Sequence, residues 1–432
     1  MNVLLFDPLG CMVEFGVRCK AAGHTVKHWI KNPDSTVGEG ILTRVTLWED
    51  HMDWADIIVC GDNAYHMASL EKYHDAGYPI FGPNQLSARL ELDRKFGLHI
   101  LEQAGLDMMP FTEFSTYDEA IEFVKANPKR YVSKPNGDQD KALSYVSKSA
   151  ADMVFMLELW KSKGDPKGKF ILQEFVAGRE VAVGGWMGAE GFLKPIMENF
   201  EHKKLMSGNY GPNTGEQGTC LKYTESSKLF DETLGLFEDY LRLIGHRGYV
   251  DLAFIIDEEG KARPLEWTTR PGWPLFNIQL FLHKGDPVQW MKDALDGKDT
   301  LKVKTDVATG IVIPIGDYPV TKTTGKDCEG YPIYGLEAAR NKLALCDVKM
   351  GKAPCMCEGE VVTEKCIVTA GDYVAVAVGT GKTVQEASKQ AYKAVKSISI
   401  PSAVMVRDDI GERLEDDLET LKPHGYCGCW EY

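Results

Sequence analysis

The chain predicts an α/β fold in three parts, and three observations predict it. Strands alternate with helical patterns over about the first hundred residues, which indicates a small parallel α/β unit. A stretch of longer strands follows and ends in a hairpin at Gly248–Pro274. After Gly310 the texture changes to short strands and turns, and "YVAVAVGTGKTVQEASKQAYKAVKSI" reads as strand, Gly turn and amphipathic helix. The resulting boundaries are an N-terminal α/β domain over 1–105, a central domain over 106–310 and a small C-terminal α+β cap over 311–432. There is no internal repeat and no low-complexity tract.

The opening "NVLLFD" is a short buried-type strand, followed by a Gly-containing turn and a helix through Lys20. "HTVKHWI" and "ADIIVCG" read as second and third strands, each ending in turn residues. Ligands of such sheets sit beyond the carboxyl ends of the strands, which points at Asp7-Pro8-Leu9-Gly10 and Gly61-Asp62-Asn63, with Gly10, Asp62 and Asn63 as candidate substrate contacts. The region has no G-x-G-x-x-G, which excludes a dinucleotide fingerprint and argues against an oxidoreductase. "PIFGPNQLSARLELDRKFGLHILEQAGL" reads as a strand, a Gly-Pro turn and one amphipathic helix carrying Arg89, Arg94 and Lys95. "YVSKPNG" and "KFILQEFVAGREVAVGGWM" are strands separated by a helix over Ala150–Lys163.

The hairpin is the most informative segment. Tyr249–Ile256 is apolar and β-branched, Asp257-Glu258-Glu259-Gly260 supplies the reversal, and Ala262–Trp267 returns. Glu266, Thr268 and Arg270 alternate and so share a face. A carboxylate and an oxygen ligand two residues apart can share a hard cation, and the guanidinium beyond them can clamp a phosphate. An edge hairpin with solvated charges would show the same residues.

Composition sets the remaining bounds. The hydrophobic fraction of 44% and charged fraction of 26% are those of an ordinary globular protein, and 432 residues suffice for two to four cores. The net charge of −14, without a long basic run, argues against tracking nucleic acid. No apolar stretch approaches a membrane span, and the start lacks a basic segment and cleavage site. Eleven scattered cysteines then read as reduced thiols in a cytoplasmic protein. Cys355/Cys357 and Cys427/Cys429 are C-x-C pairs without zinc spacing or a placed histidine.

These segments, in this order, resemble the ATP-grasp superfamily, and more closely the glycinamide ribonucleotide synthetase (phosphoribosylamine–glycine ligase) family. The resemblance rests on "GPNTG" at Gly211–Gly215, "EHKK" at Glu201–Lys204, "PIFGPNQLSARLELDRKF", "LQEFVAGREV", "PLEWTTR" and "VRDDIG" at Val406–Gly411. It implies a pre-ATP-grasp domain, an ATP-grasp fold with a mobile flap over about 112–181, and the cap. Carried over residue by residue, it implies that Lys95 and Lys134 reach nucleotide phosphates. Glu174 and Val176 form the adenine hinge, and Glu180 accepts the ribose hydroxyls. Glu266 is similar to the principal magnesium ligand. Thr268 stands where the family has asparagine, and Asp251 on the preceding strand compensates. Arg270 and Lys203 fall where the family uses catalytic cations, and Asn213, Thr214 and Gly215 where it binds substrate. His202 is open to a general-base or a ligand-orienting role.

The implied chemistry is ATP-dependent joining of a carboxylate and an amine through an acyl phosphate, with ATP and Mg2+ (Mn2+ as the alternative metal). The partners are then small molecules, an amino acid such as glycine and an amine that is phosphoribosylamine or another nucleotide-linked compound, handled by a monomer or homodimer. The sequence also departs from the pattern. The Gly/Ala-rich flap loop becomes "KPNGDQDKALSY", the N-terminal Gly-Gly-Arg-Glu-His becomes "PLGCMVEF", and the second half of the central loop becomes Gly215-Glu216-Gln217-Gly218. Because these losses concentrate on the amine side, the resemblance leaves two alternatives open: a ligase with a different acceptor, and a weakened ATP-binding module. The terminal "KPHGYCGCWEY" is expected to pack against the cap or a neighbouring subunit.

Overall fold

The computed structural model describes residues 1–135, 144–316, 318 and 325–432. These form two compact units: Met1–Ala88 with Ala182–Asp251 and Thr268–Tyr432, and Arg89–Val181 with Leu252–Trp267.

The first unit opens with five parallel strands, β1 (Asn2–Phe6), β2 (Thr25–Trp29), β3 (Thr43–Val45), β4 (Ile57–Cys60) and β5 (Ile80–Phe81), in the order β3-β2-β1-β4-β5. Val3 to Phe6 and Ile57 to Cys60 are buried along their whole length, as strands covered on both faces must be. Helices α1 (Val13–Ala21) and α2 (Met67–Asp75) make the crossovers.

The chain enters the second unit along α3 (Gln85–Leu92) and α4 (Arg94–Gln103). The single helix expected across Arg89, Arg94 and Lys95 is therefore two. Asp93 leaves helical geometry (φ −101°, ψ 86°) and caps α4 by accepting the Phe96 N–H at 3.1 Å. An antiparallel sheet follows in the order β6-β9-β7-β8, from β6 (Phe111–Phe114), β7 (Tyr131–Pro135), β8 (Tyr145–Val146) and β9 (Phe170–Glu174). Helices α5 (Tyr117–Ala126), begun by a Thr116/Glu119 capping box, and α6 (Ala150–Lys161), begun by Ser149, cover it. Their shared core is aromatic: Phe114, Tyr117, Tyr131, Trp160 and Phe170.

Strand β10 (Gly178–Met187) leads into the first unit, where β11 (Ile196–Met206) and β12 (Tyr210–Thr224) form a long hairpin. Two short helices, α7 (Lys228–Glu232) and α8 (Glu238–Leu243), precede β13 (Gly248–Asp257) and β14 (Ala262–Thr268). Their turn is held by Asp257, whose carboxylate accepts the N–H groups of Glu259 and Lys261 at 3.0 and 2.9 Å, with Gly260 at φ 78°.

Helices α9 (Leu275–Leu282) and α10 (Gln289–Leu295) come next, then β15 (Val307–Pro314), β16 (Glu329–Pro332), α11 (Leu336–Ala339), β17 (Leu343–Leu345), β18 (Val348–Cys357), β19 (Glu360–Ala370) and β20 (Tyr373–Gly381). The rest is helical: α12 (Val384–Lys396) and α13 (Leu414–Leu421). In the first unit, β10 from Ala182, β11, β12, β15, β20 and β17 lie side by side, each pair antiparallel. Gly310 lets α9 close on this sheet, since a Cβ there would lie 2.3 Å from Ile278. Residues 311–432, expected as a cap, belong to this same unit. Buried Glu14 ties them to α1 by accepting Arg18 Nε at 2.8 Å, Arg340 Nη2 at 2.9 Å and the Leu345 N–H at 3.2 Å.

The terminal segment folds back onto β11 as well as onto the start of α12. Trp430 is fully buried, its ring edge-on to Phe200 and its Nε1 donating to Glu198 at 2.9 Å, while Val384 N–H reaches the Glu431 carbonyl. No helix among the described residues is long and apolar enough to cross a membrane.

Candidate active site

In the second unit, β14 and α4 bring a carboxylate and a guanidinium together. Trp267 is buried and its indole N–H donates to the Gly97 carbonyl at 3.2 Å, so α4 lies against β14. Gly97 permits this approach, because a Cβ there would sit 2.1 Å from the Leu90 carbonyl oxygen and 3.1 Å from Trp267. Arg94, at the start of α4, then places Nη2 3.3 Å from Glu266 Oε2. Their side chains are 21% and 41% exposed, so the pair is open to a ligand.

Lys95 points elsewhere. It is 66% exposed, with its ammonium 4.0 Å from Glu113. The cation that the described residues place beside Glu266 is Arg94. Consecutive residues on a helix diverge by about 100°, so only one of the two can meet β14. Membership of the same "DRKF" run could not separate them.

Lys134 lies half-buried on β7 opposite Ile171. Glu174 ends β9, and its carboxylate is 2.7 Å from Lys129 Nζ. Its backbone N–H donates to Pro110, and that of Phe175 to Arg130. Val176 follows in the link to β10, half-buried, and Glu180 lies half-buried on β10 itself. Gly178 allows β10 to run against Ile256, whose carbonyl oxygen a Cβ would meet at 2.2 Å. The loop positions Gly137, Asp138, Asp140 and Lys141 lie outside the described residues.

In the first unit, Asp251 is buried and accepts Tyr249 OH and Asn199 Nδ2, both at 2.8 Å. Burial, with Glu201 adding to it, pushes its carboxyl up to about 7. Gly184 makes room for it, since a Cβ there would lie 2.7 Å from Asp251 Oδ2. Lys203 pairs with Glu201 at 3.1 Å. Thr214 donates its hydroxyl to the Lys203 carbonyl at 2.8 Å, Asn213 lies opposite Lys204, and Gly215 is exposed. His202 is buried, and its Nε2 accepts the Gly411 N–H at 3.2 Å. Burial and the nearby Arg413 and Arg407 hold it well below the usual histidine range. That bond joins β11 to the "VRDDIG" segment. Arg407 in that segment is buried and donates to the Lys204 carbonyl at 2.9 Å and to Asn209 at 2.8 Å.

Thr268 is half-buried, and Arg270 donates to the Pro271 carbonyl at 3.2 Å. Asn63 is buried and donates to Thr269 Oγ1 at 2.9 Å; Asp62 accepts the Ala64 N–H at 2.8 Å. Gly10, at φ 82°, donates to Asp7. Asp7 heads the Asp7–Gly10 turn that the sequence pointed to as a ligand position. Its buried carboxylate accepts the N–H groups of Gly10, Cys11 and Met12 at 3.1, 2.9 and 2.8 Å, and contacts His28 Nε2 at 2.8 Å. The donors of the β1–α1 turn, an anion site in many parallel sheets, are thereby taken by the chain's own carboxylate.

A family model described as "Phosphoribosylglycinamide synthetase, ATP-grasp (A) domain" matches residues 92–235. The crystal structure of phosphoribosylamine–glycine ligase from Thermotoga maritima superposes with a TM-score of 0.70 over 95% of this chain and 100% of that one, at 22% identity. Residues 92–235 thus match an ATP-grasp domain, and the chain resembles that superfamily as a divergent relative. Phosphoribosylamine–glycine ligase of Vibrio parahaemolyticus is 25% identical over 357 residues, 80% of each chain. That of Salmonella typhimurium is 25% identical over 379 residues, 83% of each. An N5-carboxyaminoimidazole ribonucleotide synthetase, solved with ADP, has a TM-score of 0.59 at 13% identity over 92% of this chain and 95% of its own. The α/β architecture with ATP-grasp-like sheets agrees with the fold class the sequence predicted.

Proposed function

We propose that this ATP-grasp protein is an ATP-dependent carboxylate–amine ligase whose amine acceptor differs from phosphoribosylamine. The observation that carries the ligase reading is the Arg94–Glu266 pair, a carboxylate and a guanidinium side by side and open to a ligand. The likeness to phosphoribosylamine–glycine ligases supplies the reaction class.

Glu266, a partly exposed hard-oxygen ligand, fits magnesium, which needs few protein ligands when phosphates complete its shell. When bound, it offsets the negative charge of the triphosphate and of the attacking carboxylate. Arg94 and Lys134 add fixed positive charge, and Glu180 with the Glu174–Val176 link holds the nucleoside. A substrate carboxylate oxygen attacks the γ-phosphorus, and the bond to the β-phosphate oxygen breaks to release ADP. The amine nitrogen then attacks the acyl carbon, its proton passes to a base, and phosphate leaves, giving the amide.

Asp7 supports the changed acceptor. A ligand phosphate at the β1–α1 turn would compete with a buried carboxylate that already holds three N–H groups. The test is a screen of amino acids and amines for coupled ADP release, with Glu266→Ala as the blank. The reading expects metal-dependent release that needs both an amino acid and an amine and is lost in the blank. Release that survives in Glu266→Ala removes that residue from the mechanism, and a rapid reaction with phosphoribosylamine refutes the changed acceptor.

A further inference from the structure

The chain carries two C-x-C pairs, and the fold treats them differently. Cys355 and Cys357 lie in β18, opposite Val362 and Glu360 of β19. Extended backbone holds alternate Cα atoms about 6.7 Å apart, at the far edge of what a disulfide spans. Cys427, Gly428 and Cys429 instead form a turn, closed by the Trp430 N–H donating to the Cys427 carbonyl at 3.1 Å. Cys427 is left-handed at φ 54°, and a Cβ on Gly428 would meet nothing within 4 Å, so the turn has room to tighten. Turns draw alternate Cα atoms toward a spacing of about 5.5–6 Å, where disulfides are commonest.

The two thiols of this turn have different surroundings. Cys427 is buried and Cys429 exposed. The buried thiol faces the carboxylate of Glu198 on β11, which also accepts Ser227 Oγ at 2.6 Å and Trp430 Nε1 at 2.9 Å. Burial, with Glu198 and Cys429 nearby, pushes the Cys427 thiol up and keeps it protonated. Burial also raises the Glu198 carboxyl, which makes it a better proton acceptor. One thiol is thus open to solutes, and the other waits behind it beside a base. An accessible cysteine next to a resolving one is the arrangement of a reversible redox site.

We propose that Cys427 and Cys429 form a reversible dithiol–disulfide site that low-molecular-weight disulfides oxidise. The Cys429 thiol gives its proton to water, and its thiolate attacks one sulfur of the solute disulfide. That S–S bond breaks, one solute thiolate leaves and takes up a proton, and Cys429 carries the other half as a mixed disulfide. Cys427 then passes its proton to Glu198, and its sulfur attacks that of Cys429. The mixed disulfide breaks, and the second solute thiolate leaves and is protonated. The two cysteines have lost two electrons and two protons, and the solute disulfide has become two thiols. This chemistry does not depend on the ligase reading.

The test incubates the full chain with oxidised glutathione, blocks the remaining thiols with iodoacetamide, and maps the peptide holding Cys427 and Cys429 by mass spectrometry. That peptide should carry an internal disulfide that dithiothreitol reverses, while Cys357, also exposed, should stop at a glutathione adduct. Cys427→Ser should stop at the adduct on Cys429, and Cys429→Ser should leave the segment unmodified. Glu198→Gln should close the disulfide about 10-fold more slowly or worse, with the adduct accumulating. If Glu198→Gln folds poorly, the adduct trapped in Cys427→Ser keeps the test decisive. An adduct on Cys429 of the parent that never closes overturns the inference, as do two thiols that stay free. A disulfide forming as readily between Cys355 and Cys357 overturns the part given to the turn, and unchanged closure in Glu198→Gln overturns that given to Glu198.

Discussion

The guanidinium of Arg94 lies 3.3 Å from the carboxylate of Glu266, while its neighbour Lys95 extends into solvent. Removing one preorganised charge from a phosphoryl-transfer site costs on the order of 100-fold in rate. Arg94→Ala should therefore lower ADP release by about that factor, and Lys95→Ala should change it less than about threefold. Equal losses in the two variants would show that the ion pair is only a surface contact.

Gly97 is the hinge of that arrangement. Alanine there meets the Leu90 carbonyl at 2.1 Å, a backbone atom that cannot step aside. Gly97→Ala should destabilise the protein by about 1–3 kcal/mol, read as a lower urea midpoint, and should reduce ADP release by shifting Arg94. A variant as stable and as active as the parent would contradict the packing described.

Two carboxyls set a pH dependence of stability. Burial, assisted by Glu201, raises Asp251 to about 7, and burial with Asp372 beside it raises Asp347 to about 7. In the unfolded chain both titrate near about 4. The folded protein therefore binds more protons between these values. The two groups' contribution is fully present below about pH 4, falls as pH rises, and is lost above about 7. Asp251→Asn and Asp347→Asn should each flatten the stability slope between about pH 4 and 7. Urea melts at several pH values measure this, and an unchanged slope in both variants would refute it.

Asp7 makes a separate prediction. Asp7→Gly strips the acceptor from three N–H groups and should cost about 3 kcal/mol or more. It also vacates an anion site. Added phosphate should then raise the melting temperature of Asp7→Gly more than that of the parent. Equal responses would mean that the turn does not bind anions even when emptied.

Much of the fold could be read from residue patterns, because period and turn chemistry are local. The hairpin at Asp257–Gly260 and the parallel strands at Val3 and Ile57 are of that kind. The break at Asp93 was missed, since an N-cap within an unbroken helical pattern is visible only once the neighbouring strand demands a turn. The site was legible to the level of residue type. Glu266 was singled out by its alternation with Thr268 and Arg270 and by the family likeness of "PLEWTTR", but its pairing with Arg94 depends on how α4 rolls onto Trp267. The spacing of Cys427 and Cys429 was visible too. Only the turn and the burial of one thiol set that pair apart from Cys355 and Cys357.

Trp430 bonds to Glu198 across 232 residues of sequence, and so braces the strand that bears Glu201 and Lys203 from behind. A growing polypeptide would have to add those 232 residues before that brace could arrive. Closing so long a loop is slow, so the hairpin of β11 and β12 belongs among the last parts to become rigid.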